Sequence, residues 1–249
     1  MVIRLICDMR LLLIVFLLIA SIGLYANGEG GDDPKKKNVN EEIKGRPDLP
    51  GTLQIDFGYS FISKNPLDFQ VMGSRSLNLY YMWDFRLGKS KFFFRPGVGV
   101  GLDRYKIKNG MTIYNNADTT YFNVPATGIS MKKSVLVTNF VDVPMEFRYM
   151  TNPDDPGRSL VVTIGGRVGY LFNNHSKEKY VQNDNNQSLK ESKDFFVTPL
   201  RYSIHTRIGV GNFNFFGYYN LNPLFEGSKV ISSDVTNNAI TVGISFAGF

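Results

Sequence analysis

Leu160-Val161-Val162-Thr163-Ile164-Gly165-Gly166-Arg167-Val168-Gly169-Tyr170-Leu171-Phe172 is the stretch whose reading decides the fold. Leu160, Val162, Ile164, Val168, Tyr170 and Phe172 fall at even spacing, with Thr163, Gly165, Arg167 and Gly169 between them. A period of two places one set on each face of a β-strand, whereas a helix would need a period near 3.6. One face is apolar and aromatic. The other combines glycine with a charge.

Seven further segments repeat this pattern, so that strands are expected at 52–63, 76–87, 91–104, 135–149, 159–172, 196–210, 212–221 and 238–249. The connections alternate in length. Those at 64–75, 105–134, 173–195 and 222–237 are long, and those at 88–90, 151–158 and 211–212 are short. Strict alternation of long and short is the signature of an up-and-down barrel with external loops and short periplasmic turns. The expected fold is therefore all-β: an eight-stranded antiparallel up-and-down transmembrane β-barrel.

The glycines decide which face meets lipid. Gly97, Gly99, Gly101, Gly165, Gly169, Gly209 and Gly243 share the polar face. On a water-facing wall they would only weaken strands, but a narrow eight-stranded interior needs small residues beside large ones. Placing the polar face in lipid is excluded on energy, since an arginine at the bilayer midplane of a barrel costs roughly 2–4 kcal/mol and this face carries several. Trp83, Phe85, Phe92, Phe147, Tyr149, Tyr170 and Phe172 lie near strand ends on the apolar face, where interfacial aromatic girdles belong.

Eight strands leave no room for a water-filled channel, so the lumen has to be packed with side chains. Asp56, Asp84, Arg86, Arg95, Asp142, Glu146, Arg148, Arg167, Arg201, His205 and Arg207 point inward by alternation. Buried charges persist only when paired and hydrogen-bonded, so these residues are expected to form a polar plug. Asp56, Asp84, Arg86, Arg95, Glu146, Arg148 and Arg207 fall in its periplasmic half.

At the N-terminus, Arg4 and Arg10 precede an apolar run from Leu11 to Ile22, followed by the small residues Ser21, Gly23 and Ala26. That is the plan of a secretory signal over residues 1–26. Residues 27–50 are rich in Gly, Asp, Lys, Asn, Glu and Pro and read as a flexible linker, leaving 51–249 as the barrel domain. The lone Cys7 precedes the apolar run, so the exported chain would carry no thiol chemistry.

The net charge of +6 contains one basic run, Lys35-Lys36-Lys37, which argues against nucleic acid. Of two histidines, His205 is expected as a plug member and His175 as a solvated loop residue beside Ser176. The Gly97-to-Gly101 run lies within a strand without a following helix, so it does not cradle phosphate. No catalytic residue, metal site or cofactor is expected.

The run Val141-Asp142-Val143-Pro144-Met145-Glu146-Phe147-Arg148-Tyr149 resembles a recurring segment of the PorT-like outer-membrane barrels of Bacteroidetes. The Pro-Gly-Val-Gly-Val-Gly run at 96–101 and the aromatic C-terminus are similar to that family too. The resemblance implies an outer-membrane location and an eight-stranded barrel, with one member class serving a type IX secretion system.

Expected partners are outer-membrane lipid, the barrel-assembly machinery through C-terminal Phe249, and proteins at the loops or the N-terminal tail. Ala247-Gly248 is expected to form a bulge, since Ile244 and Phe246 alternate out of phase with Phe249. The role read from these features is structural or accessory. An accessory of a protein-export machine and a lipid-modifying enzyme are the alternatives. A folded barrel resists detergent, so the unheated protein from the outer-membrane fraction should migrate differently in a gel from the boiled one. A soluble periplasmic protein with no shift would overturn the lipid-facing assignment.

Overall fold

The computed structural model describes residues 51–62, 73–107, 111–115, 119–123, 125, 129–182, 185–193, 195–226 and 238–248. The expected signal, the linker and the Phe249 assembly signal lie outside them. Twelve strands run along the described chain: β1 (Thr52–Ile62), β2 (Arg75–Met82), β3 (Phe85–Arg86), β4 (Phe92–Ile107), β5 (Thr112–Asn115), β6 (Thr120–Asn123), β7 (Ile129–Met150), β8 (Leu160–Gln182), β9 (Asn185–Glu191), β10 (Leu200–Val210), β11 (Phe213–Pro223) and β12 (Asn238–Ala247).

Eight of these close a ring. The antiparallel order β1-β2-β4-β7-β8-β10-β11-β12 returns to β1 through Gln54↔Ala247 to Ile62↔Ala239. The connection that passes over β9 is sealed by Leu200↔Tyr170 to Val210↔Leu160. Closure removes the exposed edges that hydrocarbon could not solvate. The short turns follow local chemistry. Gly211 turns at a φ of 57° with a Cβ-free surface against the Gly157 backbone, and Ser90 Oγ donates to the Leu87 carbonyl at 2.6 Å. Gly248 also takes a positive φ, 102°, just after β12.

The apolar face points outward along the spanning part of every wall strand. Ile164 is 67% exposed, Phe215 58% and Phe147 56%, while their chain neighbours Thr163, Asn214 and Glu146 are buried. On β4 the outward apolar run extends from Phe92 to Leu102. The ten rises from Phe92 to Leu102 at about 3.3 Å each, tilted about 40°, cover about 25 Å of membrane normal, the height of the apolar band of such barrels.

Beyond that band the strands continue, which corrects the expected loop boundaries. The segment 105–134 contains the end of β4, the β5–β6 hairpin and the start of β7, and 173–195 contains the end of β8 and all of β9. The alternation changes sense there. Asp103 points inward and Leu102 outward, but one step higher Tyr105 and Ile107 are buried inward while Arg104 is exposed outward. The outside solvent has changed from lipid to water, so the charged residues take the outer face. His175 is corrected by the same extension: it lies within β8, only 7% exposed, its Nδ1 3.0 Å from Asn173 Oδ1.

The external hairpin is fastened by polar contacts. Thr112 Oγ1 donates to the Glu178 carboxylate and lies 3.3 Å from Ser134 Oγ, and Thr120 Oγ1 donates to the Phe195 carbonyl at 3.0 Å. Glu178 lies above the apolar band. Burial pushes its carboxyl pKa up, the Thr112 hydrogen bond opposes this, and Glu191 adds to the rise. Between the ordinary glutamate value and the raised folded one, the folded state therefore holds a proton that the unfolded chain has released. The hairpin's attachment should be firmest below the ordinary glutamate range and weaken as pH rises through the raised folded value. Exchange rates of the Thr112–Asn115 amides, corrected for intrinsic rates, should rise over that interval. Glu178→Gln should flatten the dependence.

Candidate functional site

The inward side chains of the spanning region form two polar clusters. In the periplasmic cluster Glu146 is the hub. Its carboxylate receives Arg95 Nη1 at 2.9 Å and Arg207 Nε at 3.0 Å, and lies 2.9 Å from His205 Nε2. Arg207 also forks onto Asp56 with bonds of 2.8 and 2.9 Å. Such bidentate charge-assisted pairs are the strong ones. Tyr218 donates to Asp56 at 2.9 Å and accepts from Arg207. Arg95 reaches Gln54 at 3.2 Å and pairs with Asp84, which Arg148 approaches at 3.7 Å.

The second cluster lies toward the external end. Asp142 accepts from Arg201 through both oxygens, one bond being 2.9 Å, and Arg201 also reaches Asp103 at 2.6 Å. The Tyr80 hydroxyl donates to Asp142 at 2.9 Å and accepts from Arg167 at 2.7 Å. Arg167 links the two clusters, its guanidinium lying 4.0 Å over the Tyr218 ring. Glycine makes room for this: a Cβ at Gly101 or Gly169 would collide with Arg201 and Asp142.

An apolar layer closes the external end of the lumen. Tyr105, Ile107, Leu136, Phe140, Phe195 and Phe225 belong to one buried cluster, and Arg201 meets its edge with its guanidinium 4.1 Å over Phe140. The lumen is thus filled in depth order by ions and then hydrocarbon.

Ten of the eleven residues expected to point inward meet one another in these clusters. Arg86 does not. β2 ends at Met82, and the short β3 carries Arg86 to the periplasmic turns, where it is exposed, donates to the Ser90 carbonyl at 2.9 Å and faces Asp154 at 3.8 Å. Tyr80 and Tyr218 are network members that the charge pattern did not single out. Their signal was their inward parity next to charged positions.

Ser203 and His205 point inward as neighbours on β10 but do not form a relay. Ser203 Oγ donates to Asn220 at 2.7 Å and accepts from Arg167 at 3.2 Å, while His205 turns to Glu146 and packs 4.8 Å from the Tyr218 ring. Among the described residues no three His, Cys, Asp or Glu side chains are grouped to hold a metal ion.

Removing the hub should show how much this network contributes. Glu146→Ala leaves three nitrogen groups without their shared acceptor and should cost about 3–5 kcal/mol. Arg86→Ala, which removes only exposed contacts, should cost less than about 1 kcal/mol. Urea unfolding of the refolded barrel, followed by the gel shift, distinguishes the two, and equal losses would refute the hub role.

Among solved structures the chain is similar to Ail, the attachment invasion locus protein of Yersinia pestis. The match has 14% identity and a TM-score of 0.35, and covers 80% of this chain and 95% of that one. Ail in complex with the heparin analogue sucrose octasulfate matches at 14% identity and a TM-score of 0.33, covering 80% of this chain and 98% of that one. No curated protein matches in sequence. The profile of one family matches residues 52–226, most of the wall described above, and the chain belongs to that family, the outer membrane protein beta-barrel domain.

Proposed function

We propose that this outer-membrane barrel neither conducts nor catalyses, and that it serves as a rigid accessory anchor for strands raised above the membrane. The observation that carries this reading is the double closure of the lumen, by the Glu146 and Asp142 clusters and then by the apolar layer around Phe195 and Phe225. Side chains with this many mutual partners favour a lumen packed solid over an aqueous path. The two inward residues that a hydrolase would use, Ser203 and His205, are committed to different partners.

The second reading, an accessory of a protein-export machine, is favoured by β9. This strand pairs with β8 on one side and, among the described residues, has no strand partner on the other. A free edge of unpaired amides and carbonyls is the usual platform for adding a partner's strand. The resemblance of residues 141–149 to PorT-like barrels, one class of which serves a type IX secretion system, supports the same reading.

Planar-bilayer recordings of the purified barrel should show no stable conductance steps, and deletion of the protein should leave the mass profile of lipid A unchanged. Ohmic steps would make it a pore. An altered lipid A profile would make it an enzyme. Loss of secreted proteins on deletion, with both other readouts unchanged, would select the export role.

A further inference from the structure

Just above the apolar band the outer wall carries a group of cations that have no counterion among the described residues. Arg75 and Arg104 lie directly opposite each other on β2 and β4. One step higher, Lys106 faces Val135, which faces Lys177, which faces Lys190. Lys133 is opposite Lys179. Three of these cross-strand pairs are therefore like-charged, an arrangement that destabilises a sheet. Among the described residues no carboxylate forms an ion pair with any of them. Glu178 and Glu191 alternate onto the other face of the same strands, opposite Leu189 and Ser176. Burial, followed by the positive charges of Lys190, Lys177 and Arg104, pushes the His175 imidazole pKa down, consistent with a positive field at that level.

Two grooves meet at these cations. One, of ≈ 830 Å³, is lined by Arg75, Arg104, Lys106, Lys132 and Lys133 beside Tyr59. The other, of ≈ 900 Å³, shares Tyr59, Arg75 and Arg104 and continues along Phe57, Leu77 and Leu102 into the apolar band. The rows are fixed by register: Tyr59↔Arg75↔Arg104 lies one step above Phe57↔Leu77↔Leu102. A cationic groove thus opens directly onto a greasy one at the level where outer-leaflet headgroups begin.

We infer that this face of β1, β2, β4 and β7 binds a phosphorylated glycolipid of the outer leaflet, its phosphates on the Arg75–Arg104–Lys106 groove and an acyl chain along Phe57, Leu77 and Leu102. Two facts select this occupant over a soluble anion. The cations lie at headgroup depth, and the apolar continuation would be idle beneath a free phosphate. A bound phosphate relieves the like-charge pairs with charge-assisted hydrogen bonds. The site is on the outside of the wall and is independent of whether the lumen conducts.

The test uses the full-length protein in phosphatidylethanolamine vesicles containing either bisphosphorylated or fully dephosphorylated lipid A, with retained lipid per barrel read by mass spectrometry. Bisphosphorylated lipid A should be retained about tenfold more than the dephosphorylated form. The combined variant Arg75→Gln/Arg104→Gln/Lys106→Gln, its fold checked by the gel shift, should remove that preference. Arg75→Lys/Arg104→Lys, which keeps the charge, should preserve most of it. Equal retention of the two lipids by the unaltered protein would overturn the inference even if the variant fails to fold. So would an unchanged preference in the folded variant. Release of the lipid by an equal concentration of inorganic phosphate would also overturn it, assigning the groove to a soluble anion.

Discussion

Hydrocarbon offers no partner to a backbone N–H or C=O, and the rest of this structure follows from that constraint. The wall must bond every such group to itself, which makes it a closed ring. With eight strands the ring is narrow, so its interior has to be solid. The side chains that fill it were taken from the face that avoids lipid, which is the polar face. Glu146 and Asp142 are tolerated there because each is met by more than one cation and by a hydrogen-bonding ring or hydroxyl. The ion clusters are a consequence of closure, and closure is a consequence of the solvent.

The same reasoning explains the order of materials along the axis. Charges occupy the part of the lumen surrounded by lipid, where the outer face is apolar and the inner face is free to be polar. Above the band, water replaces lipid outside and the strands need a hydrophobic interior like that of any soluble sheet. Tyr105, Ile107 and Leu136 supply it. The molecule is a membrane barrel below and a water-soluble β-structure above, built on continuous strands such as β7 and β8.

Most of the spanning wall was legible because its environment is uniform. Across Leu160 to Phe172 lipid lies on one side and the lumen on the other, so parity alone turns Arg167 into the lumen, where the structure shows it meeting Tyr80 and Asn78. Where the environment changes, parity reads wrongly. Arg86 follows a break at Trp83-Asp84 but keeps the register of β2 against β4, so its parity holds while its surroundings change from packed lumen to the water at the periplasmic turns. His175, Lys177 and Lys179 were hidden because an outward charged face does not look like the outward apolar face that defined the pattern. Tyr80 and Tyr218 were visible as inward residues but not as connectors. An aromatic on a lumen face serves as filler or as hydrogen-bonding partner, and only geometry separates the two.

The point at which Leu102 gives way to Arg104 and Leu77 to Arg75 has a consequence for the membrane itself. In a thicker bilayer these arginines would be drawn toward hydrocarbon, at a cost that approaches about 2–4 kcal/mol each only near the midplane but begins at the interface. A stiff closed wall cannot stretch to follow. The lipid must therefore yield by thinning around β2 and β4. On that side the protein sets the local thickness of its bilayer, and molecules that prefer thin membrane would gather there without touching the protein at all.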